Sequence, residues 1–330
     1  MSVFRTPVCD LVKIDYPVFQ AGMGWIARAD LAAAVSEAGG LGCVGAGSSM
    51  DADELRDEIR RVKAQTNRPF GVDILFATVA PRVNEAVRYT DKVAAMVNVV
   101  FEEEVPVLVS GLGSPKGVVP EAKKRGIVVM SVVGAVRHAQ KAVADGVDVI
   151  IATGSDGGGH VGVIGTAALI PAIVDAVDVP VLAGGGLADG RGLVAAMAFG
   201  AQGVWMGTRF IASKEARAHD NYKNKIVDTD TAGTLVTRAH SGKTCRLIRN
   251  AFTESWSGRE AEIEPYPLQG MNVGHPASLR GRIEGDVENG VLPAGQSSGL
   301  IHDVHSAGDI VRSVVEEAKS ALSRLTNTSE

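Results

Sequence analysis

Short apolar runs alternate along the chain with Gly-rich turns and amphipathic stretches, and the unit recurs eight times. Pro17-Val18-Phe19-Gln20 leads into Ala21-Gly22-Met23-Gly24 and a helical pattern over 29–38. Leu41-Gly42-Cys43-Val44 opens onto Gly45-Ala46-Gly47-Ser48 and a charged helix over 51–65. Phe70-Gly71-Val72-Asp73-Ile74-Leu75 precedes a helical region starting near residue 80. Val105-Pro106-Val107-Leu108-Val109 runs into Ser110-Gly111-Leu112-Gly113, then a helix ending near 125. Ile127-Val128-Val129-Met130 ends at Ser131, before a helix over 135–145. Val147-Asp148-Val149-Ile150-Ile151 opens onto Thr153-Gly154-Ser155-Asp156-Gly157-Gly158-Gly159-His160. Val179-Pro180-Val181-Leu182 opens onto Ala183-Gly184-Gly185-Gly186 and a helix over 189–199. Gly203-Val204-Trp205-Met206 ends at Gly207-Thr208-Arg209-Phe210.

These runs are mostly continuous rather than alternating, as strands buried on both faces require, and the helices between them imply a parallel sheet. Eight such units predict an α/β fold, a (β/α)8 TIM barrel, over an open doubly wound sheet. The repeat stops after Phe210. We therefore expect a barrel built by 1–212, a largely irregular or helical cap over 213–300, and a closing helix in 301–330 with frayed last residues. 

Composition narrows the class. Hydrophobic residues are 45%, charged residues 22% and aromatics only 5%, while Gly numbers 39 of 330, which fits a large core with many tight turns. A net charge of −5 and the lack of a basic run argue against nucleic acid as a partner. Cys9, Cys43 and Cys245 are scattered and odd in number, with no zinc spacing. No signal-like or membrane-spanning apolar stretch is present, so a cytoplasmic protein is expected, free of membrane contact.

In a barrel the chemistry lies at the C-terminal strand ends. The turns Gly184-Gly185-Gly186 and Gly207-Thr208 follow the seventh and eighth runs, where barrels commonly bind phosphate through bare backbone N–H groups. Gly22-Met23-Gly24-Trp25-Ile26-Ala27 matches a dinucleotide fingerprint, but Gly45-Ala46-Gly47 stands where its acidic ribose ligand belongs. His160 sits in a small, polar loop after the sixth run, and its ordinary pKa of about 6.5 suits proton transfer. Asp156 either orients it or shapes the loop. Asp73, Ser110 and Ser131 end strands and can bond a ligand or the loop backbone. His219, His240 and His275 lie in the cap with nothing to select among them.

Gln20-Ala21-Gly22-Met23-Gly24, Gly157-Gly158-Gly159-His160-Val161-Gly162, Ala183-Gly184-Gly185-Gly186-Leu187-Ala188-Asp189-Gly190 and Met206-Gly207-Thr208-Arg209-Phe210 resemble the nitronate monooxygenase family. The likeness extends to Ala294-Gly295-Gln296-Ser297-Ser298-Gly299-Leu300-Ile301. The family, formerly called 2-nitropropane dioxygenase, includes FMN-dependent enoyl-ACP reductases and NAD(P)H:quinone reductases. The resemblance implies a TIM barrel with FMN at its mouth. Ala21, Gly22 and Met23 would lie along the isoalloxazine, Asp73 would take a position where relatives often have Asn, and Ser131 would lie near the ring or ribityl chain. Gly154 and Gly159 join the cofactor set, Gly184, Gly185, Gly186, Gly207 and Thr208 would hold the phosphate, and His160 matches the active-site histidine. Inosine-monophosphate dehydrogenases share the phosphate turns but need a Cys after the sixth strand, which is missing here. The expected function is FMN-dependent oxidation of alkyl nitronates by O2 to a carbonyl compound and nitrite. The alternatives are an NAD(P)H-dependent reductase of an enoyl thioester, enone or quinone, and a flavin-binding protein without turnover. The expected partners are a small-molecule substrate and a second copy in a homodimer.

Overall fold

The structure, a computed structural model, describes residues 4–47, 50–76, 78–79 and 88–327. Eight parallel strands form one nearly closed barrel: β1 (Val18–Gln20), β2 (Cys43–Ala46), β3 (Gly71–Leu75), β4 (Val107–Leu112), β5 (Val128–Val133), β6 (Val149–Thr153), β7 (Val181–Gly184) and β8 (Val204–Met206). Each pairs with its sequence neighbour from β2 to β8, and β8 pairs with β1. The expected TIM barrel is therefore the fold.

Closure between β1 and β2 is made by a bridge at Phe19 and Leu41 and by one buried side chain. Gln20 accepts from the Cys43 N–H at 2.9 Å and donates to the Cys43 carbonyl at 3.2 Å. The amide thus replaces the ladder bonds that a three-residue β1 is too short to make. Inside the barrel, Phe19, Val109, Met130, Ile151 and Leu182 pack in layers, over Val8, Cys9 and Val12 of the N-terminal helix Pro7–Val12.

The outer helices are α1 (Ala29–Glu37), α2 (Ala52–Gln65), α3 (Asp91–Glu102), α4 (Val119–Lys124), α5 (Val136–Ala144), α6 (Thr166–Val174), α7 (Gly190–Ala198) and α8 (Ala307–Thr326). Their starts follow side-chain caps where the sequence supplies them: Asp51, Thr90, Asp189 and Ser306 each accept a backbone N–H from the first turn. The helix expected from about residue 80 is described only from Asp91, and 80–87 lie outside the described residues. α6 was not foreseen, because Pro171 interrupts its pattern. α8 packs beside α7 and α1, so closely that a Cβ on Gly190 would stand 2.1 Å from the Ala318 nitrogen.

Between Ile211 and Ala307 the chain departs from expectation. Alongside helices Asp220–Val227 and His275–Arg282 it forms an antiparallel hairpin, β9 (Thr234–Thr237) and β10 (Cys245–Ile248). The hairpin was hidden because β9 and β10 are short and mix Thr, Arg and Cys with their apolar residues. The loop after β6 joins its edge: His160 pairs with Cys245 and Gly159 with Arg246. No helix among the described residues is long and apolar enough to cross a membrane.

Candidate active site

A cavity of about 410 Å³ lies at the C-terminal strand ends, between the barrel loops and the cap. Ala21, Gly22, Met23, Asp73, Gly159, His160, Gly185, Gly186, Gly207 and Thr208, all singled out from sequence, line it. Ser131, Gly154 and Gly184 do not. β5 runs two residues past Ser131, so Val132 reaches the cavity, and Ser131 is buried on the opposite, helix-facing side with Val129 and Val133. Gly154 lies against α6, where an added Cβ would be 2.2 Å from Thr166 Oγ1. Gly184 is still within β7, and its own Cβ would meet Thr153 Oγ1 at 2.8 Å.

Two features shape the barrel side. One is bare backbone. Gly185 and Gly186 have φ of +94° and +72°, a left-handed turn that glycine adopts without strain. Among the described residues, their N–H groups and those of Gly207 and Thr208 have no acceptor within the protein. Four donors at one corner of a cavity form a nest for an anion such as phosphate. Thr208 Oγ1 accepts from the Gly295 N–H at 3.0 Å, and Gln296 N–H donates to the Asp156 carbonyl, so the 294–301 segment braces this corner from behind.

The other feature is Asp73. It is buried, and among the described residues its Oδ1 has no hydrogen-bond partner and it is the only carboxylate lining the cavity. Desolvation pushes its pKa well above the usual carboxylate range, with only the Gly111 N–H opposing. An uncharged Asp73 presents both a donor and an acceptor to a ring edge, as an amide would. Asp73→Asn should therefore keep the fold and raise the melting temperature at pH 8. The sign follows from linkage: the folded pKa is raised, so the stability penalty is absent below the unfolded value near 3.8 and grows as pH rises. Melting curves that coincide near pH 4 and separate at pH 8 are expected.

On the cap side, His160 Nε2 lies 2.7 Å from Ser241 Oγ. Ser241 Oγ already accepts from the Lys243 N–H at 3.4 Å, so its own proton is free to go to Nε2. That favours the His160 tautomer protonated on Nδ1. Burial, then the Lys243 and Arg282 cations, lower the His160 pKa to about 4. His240 stacks obliquely on it, with ring centroids 5.8 Å apart, and is held uncharged chiefly by burial and Arg282. His275 lines the same wall and meets Trp25 edge-on at 5.0 Å.

Sequence reasoning missed Ser241, Tyr222 and Arg282, and left His240 and His275 unselected. Their positions carry no motif; a polar residue in a cap helix or turn reads as solvent-facing until the cap folds over the mouth. His219 plays another part, accepting from the Asn221 N–H as a helix cap. Asp156 does not touch His160; its Oδ2 accepts from the Thr166 N–H at the start of α6. Ser110 is turned inward to the Gly113 carbonyl. Cys43 is core, as expected.

The model of the nitronate monooxygenase family matches residues 5–317. The chain belongs to that family. As a member of the nitronate monooxygenase family it is an FMN-type oxidoreductase in a TIM barrel. A curated relative from Mycobacterium tuberculosis, named (3aS,4S,5R,7aS)-5-hydroxy-7a-methyl-1-oxo-octahydro-1H-indene-4-carboxyl-CoA dehydrogenase, is 34% identical, over 96% of this chain and 97% of the relative. The solved FabK from Thermotoga maritima is 38% identical with a TM-score of 0.89, over 98% of this chain and 99% of FabK. A nitroalkane oxidase from Streptomyces ansochromogenes is 28% identical with a TM-score of 0.86, over 97% of this chain and 100% of that one.

Proposed function

We propose that this nitronate monooxygenase-family member binds FMN in the cavity and oxidises alkyl nitronates, with O2, to a carbonyl compound and nitrite. The observation that carries the reading is the charge of the cavity. Among the described lining residues Arg282 is the only permanent charge and Asp73 the only carboxylate; burial raises the Asp73 pKa and lowers those of His160 and His240, so each is biased toward its neutral form. That bias favours an anionic substrate.

The residues fit FMN. The free N–H groups of Gly185, Gly186, Gly207 and Thr208 suit the phosphate. Gly22 and Gly45 let the β1 loop pack tightly on β2 and β3 at the cavity wall, since a Cβ on either would lie within 2.6 Å of Asp73 or Met23. Asp73 Oδ1 supplies an unmatched polar atom for the ring edge. Bound FMN would supply the electron transfer and the reaction with O2. The protein's share is orientation and proton handling. His160, unprotonated across the neutral range, would take the α-proton of a neutral nitroalkane at Nε2 in exchange for the Ser241 hydroxyl bond, and would donate its Nδ1–H when the substrate arrives as the anion. Ser241 holds the imidazole in place.

A second reading, NAD(P)H-dependent reduction or dehydrogenation of an acyl thioester, is favoured by the CoA-thioester dehydrogenase among the relatives and by Tyr266, Pro267 and Met271 on the cavity rim, which can carry an acyl group. Anaerobic titration of the FMN-loaded protein separates the two. Bleaching of the flavin band by an alkyl nitronate, with nitrite released on admitting O2, is the expected result. Rapid bleaching by NADH or NADPH and none by nitronate would move the assignment to the thioester reading.

A further inference from the structure

Arg282 closes the cap helix His275–Arg282 and is buried to 9% exposure, yet it has no acidic partner. Its Nε donates to the Val291 carbonyl at 3.2 Å and its Nη1 to the Gly24 carbonyl at 3.4 Å. Among the described residues Nη2 has no hydrogen-bond partner, and no acid pairs with the guanidinium. The groups whose charge bears on it are Tyr222 and Cys245, both un-ionised at neutral pH: burial raises the first to beyond the ordinary range and the second to about 12. A guanidinium removed from water without a counter-charge is costly unless something anionic joins it. The two backbone bonds fix the plane of the fork, and the residue lines the same cavity as His160 and His240.

We propose that Arg282 is the specificity residue of the site, and that its unpartnered Nη2 edge receives a planar oxyanion of the substrate. The inference rests on the oxidoreductase reading above for the presence of a substrate, but not on which substrate it is. A nitronate offers two oxygens sharing one charge, matched to a guanidinium edge. A thioester that becomes an enolate offers one oxygen on which charge develops. A quinone or a simple enone offers neither before reduction. Burial first, with the Arg282 charge adding to it, lowers the pKa of both histidines that crowd this wall.

The test uses FMN-loaded protein and sodium nitrate, a planar oxyanion that does not turn over, followed by the perturbation of the flavin band. Arg282→Gln should weaken nitrate about tenfold to a hundredfold, the range for losing a charge-assisted hydrogen bond. Arg282→Lys should recover part of that affinity, because the charge returns while the fork does not. FMN content should be unchanged in both. An independent readout is the imidazole NMR titration of His160, whose pKa should rise in Arg282→Gln and stay low in Arg282→Lys. Nitrate affinity unchanged in Arg282→Gln, or no nitrate binding by the parent protein, would overturn the proposal. Loss of nitrate binding on Arg282→Gln in a protein whose flavin no nitronate reduces would instead retain the anion site and reject the nitronate reading.

Discussion

His160→Ala should lower kcat/KM by about 10²- to 10⁴-fold, the range for a positioned proton-transfer group, and leave the protein yellow with a full complement of FMN. The ring contacts Ser241 and His240, and the anion nest lies on separate turns, so cofactor retention and turnover separate cleanly. The parent protein adds a second check. His160 works unprotonated, and its pKa is lowered to about 4. kcat/KM should therefore pass level through pH 6.5, where an ordinary histidine would titrate, and fall only as pH nears 4. Stability should fall over the same window. The unfolded chain takes up a proton below about pH 6.5 that the folded His160 refuses, which costs about 3 kcal/mol by pH 4. The rate measurements thus need a parallel circular-dichroism record. A drop in kcat/KM centred near pH 6.5, in folded protein, would mean that His160 is not held neutral; a loss below tenfold in His160→Ala would remove it from the chemistry.

Gly22→Ala should abolish FMN binding. A Cβ there would lie 2.2 Å from Asp73 Cβ and 2.6 Å from Oδ2, far inside contact distance, and Asp73 is fixed on β3 where it cannot step back. The β1 loop must then lift into the slot that the flavin ring needs. Fluorescence titration with FMN should show saturable binding by the parent and none by the variant in the same micromolar range, with a lower melting temperature. Asp73→Gly in the Gly22→Ala background removes the colliding atoms and should restore part of the affinity. Full FMN content in Gly22→Ala alone would show that the two strands do not approach as described.

The barrel was legible because its signal is local and repeated. Each unit carries its own buried Val/Ile/Leu run and its own Gly turn, so an error in one unit leaves the count intact. Gly185, Gly186, Gly207 and Thr208 were legible for the same reason: position after the seventh and eighth strands assigns them to one corner. Ser131 falls off the cavity wall, and Val132 lies on it, because each residue along a strand turns its side chain to the other face of the sheet. The β9–β10 hairpin went unseen because its strands, four residues each, lack clean alternation.

The sequence by itself determined the fold, and it placed the Gly-rich turns and His160 at the cavity, since each is written in contiguous residues. Only the tertiary structure decided what state those residues are in. His160 meets Ser241 across 81 positions and owes its neutrality to burial beneath a cap whose charged groups come from 243 and 282. The Asp73 pKa is raised because β3 and the β1 loop close over it and take it out of water. Arg282 is left without a counter-charge because its helix is laid against Gly24 and Val291 rather than against an acid. Desolvation and pairing are sums over whatever the folded chain brings near, and no window of neighbouring residues contains them.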